Sequence, residues 1–350
     1  MYLLTGSDVR AVISRFGPDR VMDSLIGALE QGFRDLDPAT TTQHPRAGFD
    51  AAGLVEWMPV HRAGRDVVVK IVSYFADNPD RRSIPTVQAH LSRHDSADGR
   101  LIAIADGAVL TALRTGAASA VASRVLARPD SRVLGLVGAG VQAVTQAHAL
   151  SRLFPLSRIL AHDICPVTLA SLPRRLAFLD IPVEPALPWR IEAEADILCT
   201  ATSVPVGAGP VIAGADLKPH LHINAVGSDY PGKCELPRFL LESALVVPDL
   251  ADQARREGEC QALEEERIGP ELHQIVRQAE GFAGWRDRLT VFDSTGIPVE
   301  DALALDLITD LARRAGIGRD IAFADLEAGA PKDPYWGTAT AVPDERRAVR

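Results

Sequence analysis

The run Leu134-Gly135-Leu136-Val137-Gly138-Ala139-Gly140-Val141-Gln142-Ala143 constrains this chain more than any other segment, because it writes strand, tight turn and helix in one line. Arg132 to Val137 has the apolar continuity of a buried parallel strand. Val141 to Leu153 continues at helical spacing through Val144, Ala147, His148 and Leu150. Gly138 and Gly140 permit a turn that brings backbone amides against a pyrophosphate, and Ala143 lets the helix pack close to the strand. A second apolar strand, Ser157 to Ala161, leads to Asp163, 23 residues beyond Gly140, where a carboxylate can accept hydrogen bonds from an adenosine ribose. The set predicts a dinucleotide site. Asp163 suits the two ribose hydroxyls of NAD and repels the extra phosphate of NADP, and Ile164-Cys165-Pro166-Val167 offers no arginine to bind that phosphate.

The surrounding pattern fits such a site. After Arg128-Pro129-Asp130, strands near 132–137, 157–162, 181–184, 196–200, 221–226, 244–248 and 288–292 alternate with helical or irregular connections. That is the grammar of a parallel sheet covered on both faces. Before it come two opening helices, Asp8 to Arg15 and Pro18 to Phe33, then strands at Leu54–Met58 and Val67–Tyr74. A hairpin follows from Thr86–Arg93 to Arg100–Ala105, and an alanine-rich helix runs from Asp106-Gly107 to about Leu126. Pro298 to Ala315 reads as a final helix, with Pro298 in its first turn and Gly316 at its stop. The expected fold is α/β: a Rossmann-type doubly wound parallel sheet over 129–297, plus a discontinuous N-terminal α+β domain for substrate binding and dimerisation. The latter spans 1–128 and is joined by the C-terminal helical segment 298–328, leaving 329–350 as a loose tail. Four N-terminal strands make too small a sheet to close alone, which predicts a homodimer.

With 350 residues the chain can bury two ordinary domains. Its formal net charge of −9 is spread rather than gathered, so no nucleic-acid footprint is present. The four cysteines, Cys165, Cys199, Cys234 and Cys260, show no C-x-x-C spacing, and the histidines no ligand spacing, so no metal is expected. No apolar run reaches membrane-spanning length and the start lacks the order of a secretory signal, so a cytoplasmic location without membrane contact is expected. Only Lys70, Lys218, Lys233 and Lys332 are lysines, whereas 33 of the 37 basic residues are arginine. A lysine that persists against that bias is either incidental or needed as a compact ammonium.

Glu56-Trp57-Met58-Pro59, Ala112-Leu113-Arg114-Thr115-Gly116, Asn224 to Lys233 and Val291-Phe292-Asp293-Ser294-Thr295-Gly296 stand at or near strand ends or on the long helix. With the turn at Gly138 they resemble the ornithine cyclodeaminase/μ-crystallin family, in order and spacing, from Glu56 to about Asp301. Leu110 to Ser119, Arg256-Glu257-Gly258-Glu259-Cys260-Gln261 and Asp293 to Gly296 are worded most like the family's bacterial lysine cyclodeaminases.

The resemblance implies roles that the residues alone leave open. By itself Asp229 is an aspartate in a Gly- and Pro-rich turn, and Arg114 an exposed helix arginine. The family match makes Asp229 the catalytic carboxylate and Arg114, Lys70 and Arg46 the cations that bind the substrate carboxylate. Glu56 either accepts the distal ammonium of a diamino acid or is a half-exposed strand carboxylate. Cofactor contacts implied are Thr86, Gly138, Gly140, Val141, Gln142, Asp163, Thr202, Asn224, Val226, Lys233 and Ser294. The implied reaction uses NAD in a closed cycle: hydride leaves the substrate α-carbon, the ω-amine attacks the resulting imine, ammonia departs, and the hydride returns. Lysine would give pipecolate and ornithine proline. One methylene separates them, a difference worth only ~1–3 kcal/mol to a pocket. An imine reductase or amino-acid dehydrogenase on the same fold, or a catalytically silent binding protein, are the alternatives.

Overall fold

The first third of the chain builds a sheet buried chiefly on one face. Its strands are β1 (Tyr2–Leu4), β2 (Thr41–Gln43), β3 (Ala47–Asp50), β4 (Leu54–Arg62), β5 (Asp66–Tyr74), β6 (Val87–Asp95) and β7 (Leu101–Asp106). The period of two is plain in the side chains: Glu56, Met58, Val60, Val68, Lys70 and Leu91 are buried, whereas Trp57 and Ile71 face outward. The computed structural model describes residues 1–50 and 53–323. The last helix, expected to continue to 328, ends at Ala315 and is followed by a short strand at Arg319–Asp320, while 324–328 and the tail 329–350 fall outside the described residues.

The apolar runs after residue 130 form a second sheet from β8 (Val133–Val137), β9 (Arg158–His162), β10 (Val183–Pro185), β11 (Ile197–Thr200), β12 (His222–Ala225), β13 (Leu245–Pro248) and β14 (Thr290–Asp293). Their order is β10-β9-β8-β11-β12-β14-β13, and every pair is parallel. Strand order reverses between β8 and β11. Ligands of such sheets lie in the crevice at the carboxyl ends of the strands flanking that reversal.

The first sheet is larger than the four strands expected from the sequence. It has eight, because β1, β2, β3 and a last strand, β15 (Arg319–Asp320), join in the order β15-β1-β7-β6-β5-β4-β2, with β3 also on β4. These additions are two to four residues long, too short to carry a periodic signal. β4 also runs past Pro59, where the sequence reading stops it. On its outer edge β3 pairs with residues 54–57 and β2 with 60–62, so Pro59 lies between the two ladders and owes no hydrogen bond there.

Helices bind the two sheets into one core. Helix Ala108–Leu126 is buried along most of its length, as its small residues suggest. It packs Ala117, Ala118 and Val121 with Leu25, Leu29 and Phe33 of helix Pro18–Asp35 and with Val247 and Phe292 of the second sheet. Helix Pro298–Ala315 returns across the first sheet, setting Ala302, Leu305 and Ile308 against Val60, Val68 and Leu91. Its first turn, with Glu300 and Asp301, is thereby buried between the two sheets. Among the described residues no helix is long and apolar enough to cross a membrane.

Candidate active site

The turn after β8 is shaped for a ligand. Gly138 has φ +97, and a Cβ there would stand 2.4 Å from the carbonyl oxygen of Ala201 on the neighbouring loop, so only glycine fits. Gly140 is different: a Cβ on it would meet nothing within 4 Å. The protein leaves that space open at the start of helix Val141–Ser151, whose first amides have no side-chain cap and whose Val141 is exposed. Asp163, after β9, accepts N–H bonds from Ala139 and Cys165, each at 2.7 Å. Two carboxylate oxygens retain acceptor capacity for a pair of hydroxyls after those two bonds. Ser294, just past β14, is buried and its Oγ has no protein partner among the described residues, which suits a cofactor contact. Thr202 follows β11, Val226 follows β12 and half-buried Thr86 precedes β6. Gln142 accepts a bond from the Thr145 hydroxyl at 3.2 Å.

Two expected cofactor residues also have protein partners. The Asn224 side chain is fully buried and donates to Ser123 Oγ of the long helix at 3.0 Å. Lys233 places its Nζ 2.6 Å from Asp229 Oδ1. The turn after β8 is braced by Arg175, which donates to the carbonyl oxygens of Gly140, at 3.1 Å, and Ala139.

Beside this crevice the structure gathers Arg46, Glu56, Lys70 and Arg114. Lys70 is 1% exposed and Arg114 4% exposed, so neither is the surface cation that composition alone allows. Asp301 bridges them, with Oδ2 2.8 Å from Lys70 Nζ and Oδ1 accepting from Arg114 Nε at 3.1 Å. Glu300 accepts from Arg114 Nη1 at 2.8 Å. Arg46 lies 2.7 Å from Glu257 and donates to Glu56 at 3.3 Å, while its Nη2 reaches the carbonyl oxygens of Thr295 and Gly296. Burial, reinforced by the adjacent Arg114, pushes the Lys70 ammonium down to about 8. Burial pushes the Glu257 and Glu300 carboxyls up to about 8, against the pull of Arg46 and Arg114 respectively. Glu56 is also raised, by burial first.

Asp229 stands on the loop after β12 with its side chain about half exposed (47%) and near enough to Arg46 and Glu56 to bias both electrostatically. The next residue, Tyr230, donates its hydroxyl to Asp50 on β3 at 2.6 Å, so the loop reaches from the second sheet to the first. The sequence reading missed the acids that neutralise the cluster. Glu300 and Asp301 look like ordinary first-turn acids that complement a helix dipole. Glu257 lies inside a motif noted only for its wording, and Asp249, which accepts from Gly296 N at 2.5 Å and Thr295 Oγ1 at 2.8 Å, carries no local signal.

The arrangement can hold a dinucleotide along the carboxyl edge of the second sheet and a small carboxylate among three cations, with an aspartate on the facing loop. Over 338 residues the chain is 44% identical to the L-lysine cyclodeaminase of Streptomyces rapamycinicus, covering 95% of this chain and 98% of that one. A lysine cyclodeaminase structure, described as the basis for recognition of L-lysine, L-ornithine and L-2,4-diaminobutyric acid, superposes with a TM-score of 0.91 at 44% identity, covering 96% of this chain and 98% of that chain. An archaeal alanine dehydrogenase dimer with bound NAD superposes at 0.82 with 28% identity, over 93% of this chain and 99% of its own. The profile of the ornithine cyclodeaminase/mu-crystallin family matches residues 9–316, and the chain belongs to that family.

Proposed function

We propose that this protein is an L-lysine cyclodeaminase, converting L-lysine to L-pipecolate and ammonia, with ornithine as the second candidate substrate. The observation that carries the reading is the buried Lys70–Asp301–Arg114 bridge beside Arg46, itself within the electrostatic reach of Asp229. The Gly140 space and the Ser294 hydroxyl would hold NAD, which when bound would supply reversible hydride transfer at the substrate α-carbon, with no net redox change.

The chain's own residues supply binding, orientation and proton transfer. Arg114, Lys70 and Arg46 receive the α-carboxylate, and a guanidinium fork fixes its tilt as a point charge does not. Glu56 and Glu257, on the Arg46 side, face the distal ammonium of a diamino acid. Asp229 takes a proton from the substrate's amines, and Lys233 holds that carboxylate in place. Holding both ends of the substrate folds it so that its own distal amine can reach the α-carbon for ring closure. Burial of the site keeps water from a hydrolysable imine. The same reading places the enzyme in the cytoplasm, and takes 1–128 with the last helix as the substrate-binding and dimerisation domain and 129–297 as the NAD domain. Lysine with a trace of NAD should yield ammonia and pipecolate in equal amounts; NADH accumulating in step with product would identify a dehydrogenase instead.

We also propose a homodimer built on the outer face of the first sheet, where the paired residues Trp57 and Ile71 are exposed side by side. Sedimentation at low micromolar concentration should give twice the chain mass, and a monomer would contradict this.

Arg114→Lys should raise the lysine KM and lower kcat although the charge is kept. A lysine there loses the second half of the fork, and one charge-assisted hydrogen bond is worth ~1.5–3 kcal/mol, roughly tenfold to a hundredfold in kcat/KM. Steady-state kinetics beside an NAD titration checks it; an unchanged kcat/KM would remove Arg114 from the substrate site.

A further inference from the structure

The loops that floor the site are tied together by buried carboxyl groups outside the chemistry described above. Glu235, fully buried, accepts the N–H and the hydroxyl of Thr202 on Oε1, both at 2.7 Å, and the N–H of Gly227 on Oε2 at 2.8 Å. Thr202 follows β11, and Gly227 follows β12 two residues before Asp229. The fit is close: a Cβ on Gly227 would lie 2.3 Å from Glu235 Oε1. Glu235 is itself fixed, because its N–H donates to Glu259 Oε1 at 2.7 Å. The next residue, Cys260, donates its N–H to Asp293 at the end of β14 at 2.8 Å. Three carboxyl side chains therefore join, in series, the loops that follow β11, β12, β13 and β14.

We propose that Glu235 is a positioning residue that sets where Asp229 stands relative to the Thr202 edge of the cofactor site. Three donors converge on its two oxygens, a demand that an acceptor-only carboxylate meets and an amide does not. In Glu235→Gln the NH2 group must face either the Gly227 N–H or the Thr202 pair, leaving a buried donor without an acceptor. The loop holding Asp229 then relaxes, while the cations that bind the substrate carboxylate are untouched. The kinetic part of this proposal rests on Asp229 being the proton acceptor; the loop-fixing part does not.

Glu192, on the helix Pro188–Glu194 that flanks the same sheet, supplies a matched control. It is 1% exposed and accepts three backbone N–H groups, from Ala213, Gly214 and Ala215, at 3.1, 2.7 and 3.2 Å, but it holds no loop carrying a proposed catalytic residue. A purely structural role predicts that Glu192→Gln and Glu235→Gln behave alike.

The test compares the two variants with the parent by hydrogen–deuterium exchange, thermal unfolding and steady-state kinetics on lysine. Both variants should melt lower. Only Glu235→Gln should exchange faster in peptides covering 226–233, and only it should lose kcat, by ~10–100-fold, with the lysine KM changed less than about threefold. Glu235→Asp keeps the charge but is one methylene too short to span both loops, so it should show the same exchange and kcat pattern and serves if the Gln variant does not fold. Unaltered exchange over 226–233, or a kcat loss shared equally by Glu192→Gln, would overturn the proposal. A parent enzyme inactive on lysine, with the exchange difference intact, would instead overturn the lysine reading and leave the loop-fixing role standing.

Discussion

Three cations with nearly buried side chains, Arg46, Lys70 and Arg114, set the terms for the rest of this structure. Removing an ion from water costs several kcal/mol even after relaxation, and leaving one unpaired costs ~3–5 kcal/mol. Their partners come from distant parts of the chain: Glu56 from β4, Glu257 from beyond β13, and Glu300 and Asp301 from the first turn of the last helix. The pocket is electrically sound only when both sheets and that helix are in place. The long return of helix Pro298–Ala315 to the first sheet is thus an electrostatic requirement as much as a way of covering Val60, Val68 and Leu91.

This dependence explains what the sequence could and could not disclose. The Gly138 turn, the parallel strands after it and the alanine-rich helix are local patterns, so the α/β fold was legible directly. Short strands such as β2 and β3 were not, since they exist by pairing with β4 and not by their own periodicity. Arg114 and Lys70 gained meaning only through resemblance, because a buried and an exposed arginine read identically in sequence. Their acidic partners were hidden for the reason that they are shared over long sequence distances.

Around the pocket the loops divide the work. The turns after β8 and β9 are fixed to each other by Asp163 and leave acceptor groups and open space outward. The loop after β12 carries Asp229 and reaches β3 through the hydrogen bond from Tyr230 to Asp50. A reaction through an imine needs the substrate gripped at its carboxylate, relieved of protons and kept from water while its own distal amine attacks.

In the proposed cycle the hydride taken from the α-carbon stays in the site and is given back to the same carbon. L-lysine deuterated at C2, turned over with a trace of unlabelled NAD and analysed by mass spectrometry, tests it most directly. The account predicts pipecolate that keeps one deuterium at C2. Product carrying hydrogen there, with the label lost to solvent or to released NADH, would contradict it.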